Sequence, residues 1–293
     1  MGKKNILFII NPVSGRSKYI NIEELINKNL YHSLFSFTIK YTTHPHHATE
    51  LALEAVKNNI DIVAVVGGDG TINEVASSLL NSQIALAIVP LGSGNGLARH
   101  LKINLKPQKA IQQINSMKMS EIDACKINNF LFFNVAGIGF DAEIAFHFSR
   151  QKKRGFFKYV RLILYYFFKI RPFSCYIEVE NKTIQRTPFF ITFANSSQWG
   201  NNAQIAPLAS TNDGLIDICI CKKPKFHQII PFAILLMCGK FHHDKNAEHF
   251  VCKSIKITSH DNSPFYLHVD GEPKSHVYDI QCQVIEKALK FII

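Results

Sequence analysis

The chain has 293 residues, 47% hydrophobic and 19% charged, with 33 Lys and Arg against 22 Asp and Glu for a formal net charge of +11. This composition marks an ordinary soluble globular protein long enough for two domains, and the charge calls for nucleic acid or an anionic membrane as partner. No helix-turn-helix, RNP or zinc-finger pattern is present, so nucleic acid is not expected; no apolar run reaches the ~20 residues of a membrane span without interruption.

Lys3-Lys4 runs directly into a strand pattern over Asn5–Ile10, which gives no reason to expect a cleavable signal. The glycine-containing loop Asn11-Pro12-Val13-Ser14-Gly15-Arg16 follows. Ile22–Leu30 reads as a helix, Phe35–Tyr41 as a strand, and Ala48–Asn58 as a helix entered through Thr42 and the His44, His46, His47 cluster. With no further ligands at metal-site spacing, those histidines are read as part of the approach to the helix rather than as a zinc site.

Ile62–Val66 is a β-branched run suited to a buried parallel strand, and Thr71–Leu80 carries a helix period. Between them, Gly67, Gly68 and Gly70 leave backbone N–H groups bare at a helix start, an arrangement that attracts phosphate. Asp69 in the middle of that turn would repel phosphate unless a cation intervened, so Mg²⁺ is its expected partner; an ordinary Gly-Asp-Gly turn is the alternative. Ile84–Val89 and Pro90-Leu91-Gly92-Ser93-Gly94-Asn95-Gly96 repeat the strand and glycine turn before a helix from Leu97. Neither a P-loop nor a dinucleotide fingerprint is present.

Strands and helices alternate to about Lys118, the pattern of a parallel sheet with covered faces. From Asp123 the pattern becomes strand-like: Cys125–Val135, Cys175–Glu180, Thr183–Gln185, Phe189–Asn195, Leu215–Cys221, Val251–Thr258, Phe265–Val269 and Val277–Ile285, with a hairpin turn at Asn181-Lys182. The fold class is therefore α/β: an N-terminal parallel-sheet nucleotide-binding domain over 1–123 and a C-terminal antiparallel β-sandwich over 124–293. Two apolar, basic-ended segments interrupt the second half. Ser149–Pro172 alternates basic residues with Phe, Tyr, Leu and Ile, and is either a core helix with basic ends or an interfacial segment; Phe226–Lys240 is a second such helix. The seven cysteines show no CxxC pairing, and Cys219 and Cys221 share one face of a strand, which points to packing and a reducing cytoplasm. No Ser-His-Asp order or GxSxG elbow supports a hydrolase.

In sequence order, Asn11–Gly15, Thr42 through His47-Ala48, Gly67–Val75, Pro90–Asn95, Asn134 through Gly139-Phe140-Asp141-Ala142, Asn212-Asp213-Gly214 and Asp270-Gly271-Glu272 resemble the blocks of lipid kinases of the diacylglycerol kinase type, with their sphingosine and ceramide kinase relatives. The resemblance runs almost end to end, and its later blocks fit these enzymes better than NAD kinases or phosphofructokinase-like ones. It implies ATP and Mg²⁺ as cofactors, ATP between the two domains, a membrane lipid hydroxyl as acceptor and a tail, Glu286–Ile293, returning to the first domain.

By the same resemblance Glu272 is the catalytic base, with Asp69 also catalytic. Asn11, Pro12, Ser14, Gly15, Thr42, Gly67, Gly68, Asp69, Gly70, Thr71, Asn73, Glu74, Gly92, Ser93 and Asn95 contact nucleotide, although Glu74 equally suits a first-turn helix charge. Asp213 holds a structural Mg²⁺ with the main-chain carbonyls of Ser210 and Leu215. Gly96 departs from the acid many bacterial members carry there. The expected setting is the cytoplasm, peripheral to the inner leaflet on an anionic membrane surface, with a homodimer left open. A soluble NAD or sugar-phosphate kinase and a non-catalytic nucleotide- and membrane-binding regulator are the alternatives.

Overall fold

A computed structural model describes residues 2–15, 20–150, 156–180 and 182–293. Arg16, the basic run 152–154 and Asn181 of the expected hairpin turn lie outside the described residues. The chain divides into two compact units. The first comprises Met1–Ala124, Gly200–Asn202 and Glu286–Ile293, and the second Cys125–Trp199 and Ala203–Ile285.

The first unit alternates β1 (Lys4–Ile10), α1 (Ile22–Asn29), β2 (Phe35–Tyr41), α2 (His47–Lys57), β3 (Ile62–Gly67), α3 (Asp69–Ser78), β4 (Ala85–Pro90), α4 (Gly96–His100) and α5 (Pro107–Ile114), and then enters β5 (Met119–Ile127). Its strands pair in parallel in the order β2-β1-β3-β4. All six residues of β3 and of β4 are buried. With helices against both faces such a strand has no polar side, so IVAVVG and ALAIVP are continuous apolar runs rather than alternating ones. α3 begins at Asp69, two residues before the predicted start, because the Gly68 carbonyl already accepts the Ile72 N–H at 3.0 Å.

The second unit continues with β6 (Phe130–Phe132), β7 (Val135–Gly139), α6 (Phe140–Ser149), α7 (Phe156–Lys169), β8 (Cys175–Val179), β9 (Lys182–Arg186), β10 (Phe190–Ala194), β11 (Gln198–Gly200), β12 (Ala203–Gln204) and β13 (Ile216–Cys221). α8 (Ile229–Met237), β14 (Ala247–Cys252), β15 (Ser254–Ser259), β16 (Leu267–Val269), β17 (Glu272–Pro273) and β18 (Asp279–Ile292) complete it. One antiparallel sheet runs β14-β13-β10-β7-β16-β17, and β9, β8, β15 and the start of β18 form another. Ile138, Ile191, Phe193 and Ile218 from the first and Ile177, Ile257 and Ile280 from the second share one buried core, as a sandwich requires. β18 is a single long strand whose Lys290 and Phe291 pair in parallel with Ala85 and Leu86 of β4.

Two predicted strands are broken. Cys125–Val135 becomes the end of β5, β6 and the start of β7, turned at Asn128, whose φ of 50° is left-handed. Val251–Thr258 is split at Lys253, with β14 in one sheet and β15 in the other.

The far side of the β13-β10-β7 sheet packs Phe190, Cys219 and Cys221 against Phe167 and Ile170 from the α7 region and Leu236 of α8. Cys219 and Cys221 do share a face and both are buried there. In the 149–172 segment Phe167 and Ile170 enter the core, whereas Leu164, Tyr165 and Phe168 are exposed.

Candidate active site

In the first unit three loops meet at the carboxyl ends of β1, β3 and β4, the edge where open α/β sheets bind ligands. The Asn11 N–H donates to the Val66 carbonyl at 3.0 Å, and Asn11 Nδ2 donates to Thr71 Oγ1 at 2.9 Å, fastening the first loop to the start of α3. Asn11 Oδ1 accepts the Val13 N–H and its carbonyl accepts the Ser14 N–H, so Pro12 and Ser14 sit in a tight turn with Gly15 after it. The Thr42 N–H donates to the Ile10 carbonyl at the same edge. The Leu91 and Gly92 N–H groups both donate to the Gly67 carbonyl, at 2.8 and 3.2 Å.

Gly68 and Gly92 touch backbone to backbone. A Cβ on Gly92 would lie 2.7 Å from the Gly68 Cα, closer than carbon atoms approach, so glycine is required for these loops to close. Asp69 completes the closure: its carboxylate accepts the N–H of Asn95 at 2.9 Å and of Gly96 at 3.0 Å. Burial raises its pKa, and those two N–H donors oppose the rise. Two backbone donors from the second loop thus hold this carboxylate within the protein.

Gly96 gains a role by the same contact. Its N–H is one of the two donors, and among the described residues a carboxylate is already supplied to that spot by Asp69. Asn95 sits at φ 51° with its Nδ2 donating to the Gly92 carbonyl at 2.8 Å, while its buried Oδ1 has no partner. Ser93 is exposed at the loop tip. Asn73 and Glu74 lie on α3 just past the turn, and Glu74 Oε1 stands 3.9 Å from His46 Nδ1. Sequence reasoning missed two supports: Arg99 Nε donates to the Gly94 carbonyl at 3.1 Å, and the Asn201 N–H donates to the same carbonyl at 3.4 Å. Asn201 is 107 positions from Gly94, and only the folded chain brings the two together.

His44, His47 and Glu50 lie within ligating distance of one another, yet they are not set as a metal cage. The two rings stack 19° from parallel, and His47 Nδ1 accepts the Thr43 N–H at 3.1 Å. Ring lone pairs lie in the ring planes, so stacked rings do not converge on one ion.

In the second unit Glu272 opens β17 after the two-residue turn Asp270-Gly271. Both turn residues have positive φ, 49° and 81°, the pattern of a type I′ hairpin. The Asp270 carboxylate accepts three backbone N–H groups, from Phe133 at 3.2 Å and from Asn134 and Val135 at 3.0 Å each. These donors lie where β6 gives way to β7. Glu272 itself is exposed, with Lys274 Nζ 3.2 Å from its Oε2. Beside this hairpin the buried His268 of β16 pairs with the half-buried Asp141 at 3.2 Å, a pair the sequence reading did not single out.

The Asn212-Asp213-Gly214 loop is closed by the Leu215 N–H donating to Asp213 Oδ1 at 3.0 Å and by Ser210 Oγ donating to Asn212 Oδ1 at 2.8 Å. Burial first, and the Asp213 charge second, raise the Asp217 pKa to about 6. Asp213 and Asp217 are two carboxylates close enough for the charge of one to raise the pKa of the other, and a hard cation such as Mg²⁺ would relieve that repulsion. The signal for Asp217 was present in the sequence as the lone acid inside the apolar run Ile216-Asp217-Ile218-Cys219-Ile220-Cys221.

The sequence profile of the diacylglycerol kinase catalytic domain matches residues 5–127, and that of the YegS C-terminal NAD kinase beta sandwich-like domain matches residues 134–293. The chain is a kinase of the diacylglycerol kinase family. It is 30% identical over 283 residues to a diacylglycerol kinase of Bacillus subtilis (strain 168), covering 92% of this chain and 90% of the relative. It is 25% identical over 299 residues to an Alcanivorax borkumensis protein named "Probable lipid kinase YegS-like", covering 99% and 97%. The crystal structure of a diacylglycerol kinase from Bacillus anthracis str. Sterne superposes with a TM-score of 0.76 at 22% identity, over 99% of this chain and 96% of the other, a likeness of fold. Family membership gives the glycine loops of the catalytic domain their context and sets aside the non-catalytic alternative raised by Gly96.

Proposed function

We propose that this kinase transfers the γ-phosphate of ATP to the hydroxyl of a membrane lipid, in the presence of Mg²⁺ and peripheral to the cytoplasmic leaflet. The observation that carries the reading is the closure of the glycine loops by Asp69 on Asn95 and Gly96, which holds two bare backbone turns together at a helix start.

In this reading the N–H groups of the Gly67–Thr71 and Gly92–Asn95 turns that are not engaged in the loop closure bind the phosphates, and Asn11, Pro12, Ser14, Gly15, Thr42, Asn73 and Glu74 line the nucleotide. Their dipoles are fixed before substrate arrives, so the charge that builds on the phosphate oxygens meets oriented donors without reorganisation. Glu272 accepts the proton of the acceptor hydroxyl as that oxygen attacks phosphorus, a role suited to a carboxylate held on a rigid turn and open to solvent. Asp270, with three N–H donors, fixes that turn. Mg²⁺ neutralises phosphate charge when bound, and Asp213 with the Ser210 and Leu215 carbonyls would hold a structural ion.

A soluble NAD or sugar-phosphate kinase is the second reading, favoured by the NAD kinase-like description of the C-terminal domain. The exposed apolar side chains of α7 and α8 favour the lipid. Transfer of labelled γ-phosphate from Mg-ATP into the organic-extractable fraction of a mixed panel of lipid alcohols, with Glu272→Ala as control, decides between them. Label only with wild-type protein supports lipid phosphorylation and its chromatographic species names the acceptor. Label found instead on NAD or sugars replaces the reading.

A further inference from the structure

Among the described residues no helix is long and apolar enough to cross a membrane. The second unit nevertheless exposes large apolar side chains side by side. On α8, Ile230, Ile234 and Met237 recur at helical spacing and are 73%, 55% and 50% exposed, while Leu236 on the opposite side enters the core. On α7, Phe168 is 63% exposed although its neighbour Phe167 is buried.

The two helices present one surface. The rings of Phe168 and Phe226 lie 6.0 Å apart, and Lys223 Nζ donates to the Ile170 carbonyl at 2.8 Å, tying the end of the α7 segment to the chain leading into α8. A cluster of exposed apolar side chains of this kind marks a surface with a partner.

Charge identifies the partner. No acidic residue occurs between Glu143 and Glu178 or between Asp217 and Asp244, whereas Arg161, Lys169, Arg171, Lys225 and Lys240 occur there and are exposed. An apolar patch with a rim of one positive sign fits a surface that is apolar within and anionic at its edge. A second copy of the chain fits it poorly, because an isologous contact would set the basic rim against itself. We propose that the outer faces of α7 and α8 form the docking surface of the protein on an anionic lipid bilayer, with Phe168, Phe226, Ile230 and Ile234 entering the acyl boundary and the basic rim meeting the headgroups.

This rests on the lipid-kinase reading for its purpose but not for its test, since vesicle binding requires no turnover. The experiment is flotation of the full chain with phosphatidylcholine vesicles and with vesicles of equal parts phosphatidylcholine and phosphatidylglycerol. Wild-type protein is expected to float with the anionic vesicles, less so as salt is raised. Ile230→Asp/Ile234→Asp is expected to lose on the order of tenfold or more in vesicle affinity. Both positions are exposed, so the thermal midpoint and the turnover of a short-chain, water-dispersed lipid alcohol stay as in wild type; Phe226→Asp, outside α8, repeats the test should the double variant misfold. Equal flotation of wild type and variants, or of wild type with both vesicle types, overturns the proposal. So does a wild-type dimer that the variants dissociate while vesicle binding persists, which would make the face a self-association surface. Vesicle binding as expected without any lipid phosphorylation would leave the docking surface standing and remove the lipid-kinase reading alone.

Discussion

The carboxylate of Asp69 reaches the backbone of Asn95, accepting its N–H at 2.9 Å and that of Gly96 at 3.0 Å, and so joins the loop after β3 to the loop after β4. An acid in a glycine turn thereby becomes a clasp: its charge meets two amide dipoles, and the remaining N–H groups of both loops are held in place.

Asp69→Ala tests the clasp against a purely metal-binding role. Removing the carboxylate leaves two enclosed N–H groups without an acceptor, which lowers stability by about 2–3 kcal/mol. The clasp also predicts weaker ADP binding in the presence of EDTA, because loop geometry fails whether or not a metal is there. Unchanged metal-free affinity would assign Asp69 to the ion instead.

Gly92→Ala addresses the same closure from the other loop. The added methyl would stand 2.7 Å from the Gly68 Cα, so the loops must separate. Nucleotide affinity is expected to fall by roughly tenfold or more at small expense in thermal midpoint, since strain of this kind is worth about 1–3 kcal/mol. Isothermal titration with ADP reads it directly; wild-type affinity would mean the loops need not touch.

Glu272 and Asp270 separate on different readouts. Glu272→Gln keeps shape and removes the base, so kcat is expected to drop on the order of 10²–10⁴ with an unchanged melting curve. Asp270→Ala orphans the N–H groups of Phe133, Asn134 and Val135, and is expected to destabilise by about 3 kcal/mol while lowering kcat more than it raises KM for ATP. A stable Asp270→Ala protein with normal kcat would remove Asp270 from the support of Glu272.

Asp217 predicts a pH dependence. Its pKa rises from 3.8 to about 6 on folding, so between those values the folded protein holds a proton that the unfolded chain releases. The group therefore lowers stability as pH rises through that window, and the loss persists above it. Asp217→Asn removes the slope, and its melting midpoint should gain on wild type between pH 4 and pH 7 by the equivalent of roughly 1 kcal/mol, the partial exposure of the site being allowed for. Mg²⁺ added at neutral pH should stabilise wild type and not Asp213→Asn. Parallel melting curves for wild type and Asp217→Asn would show that Asp217 does not titrate there.

The parallel sheet, the glycine turns and the change to antiparallel strands near residue 124 were legible in the sequence, because each is local. IVAVVG is apolar throughout and so must be a strand buried on both faces, and a turn made of glycines announces bare backbone wherever it lies. What the local pattern could not carry was where a polar group finds its partner. Asp69 and Asn95 are 26 positions apart, and Asp270 and Phe133 are 137 apart. A carboxylate in a turn reads the same whether it will meet a cation, water or another loop's N–H groups; the folded chain decides, by which donors it has left unpaired. Asp270 meets the N–H groups of Phe133, Asn134 and Val135 where β6 gives way to β7, a pairing no local pattern announces. The sequence alone determined the kinds of element and the chemistry of the loops. Only the tertiary structure decided which acids became clasps and which apolar face of α7 and α8 stayed in solvent, because burial and pairing depend on neighbours far along the chain.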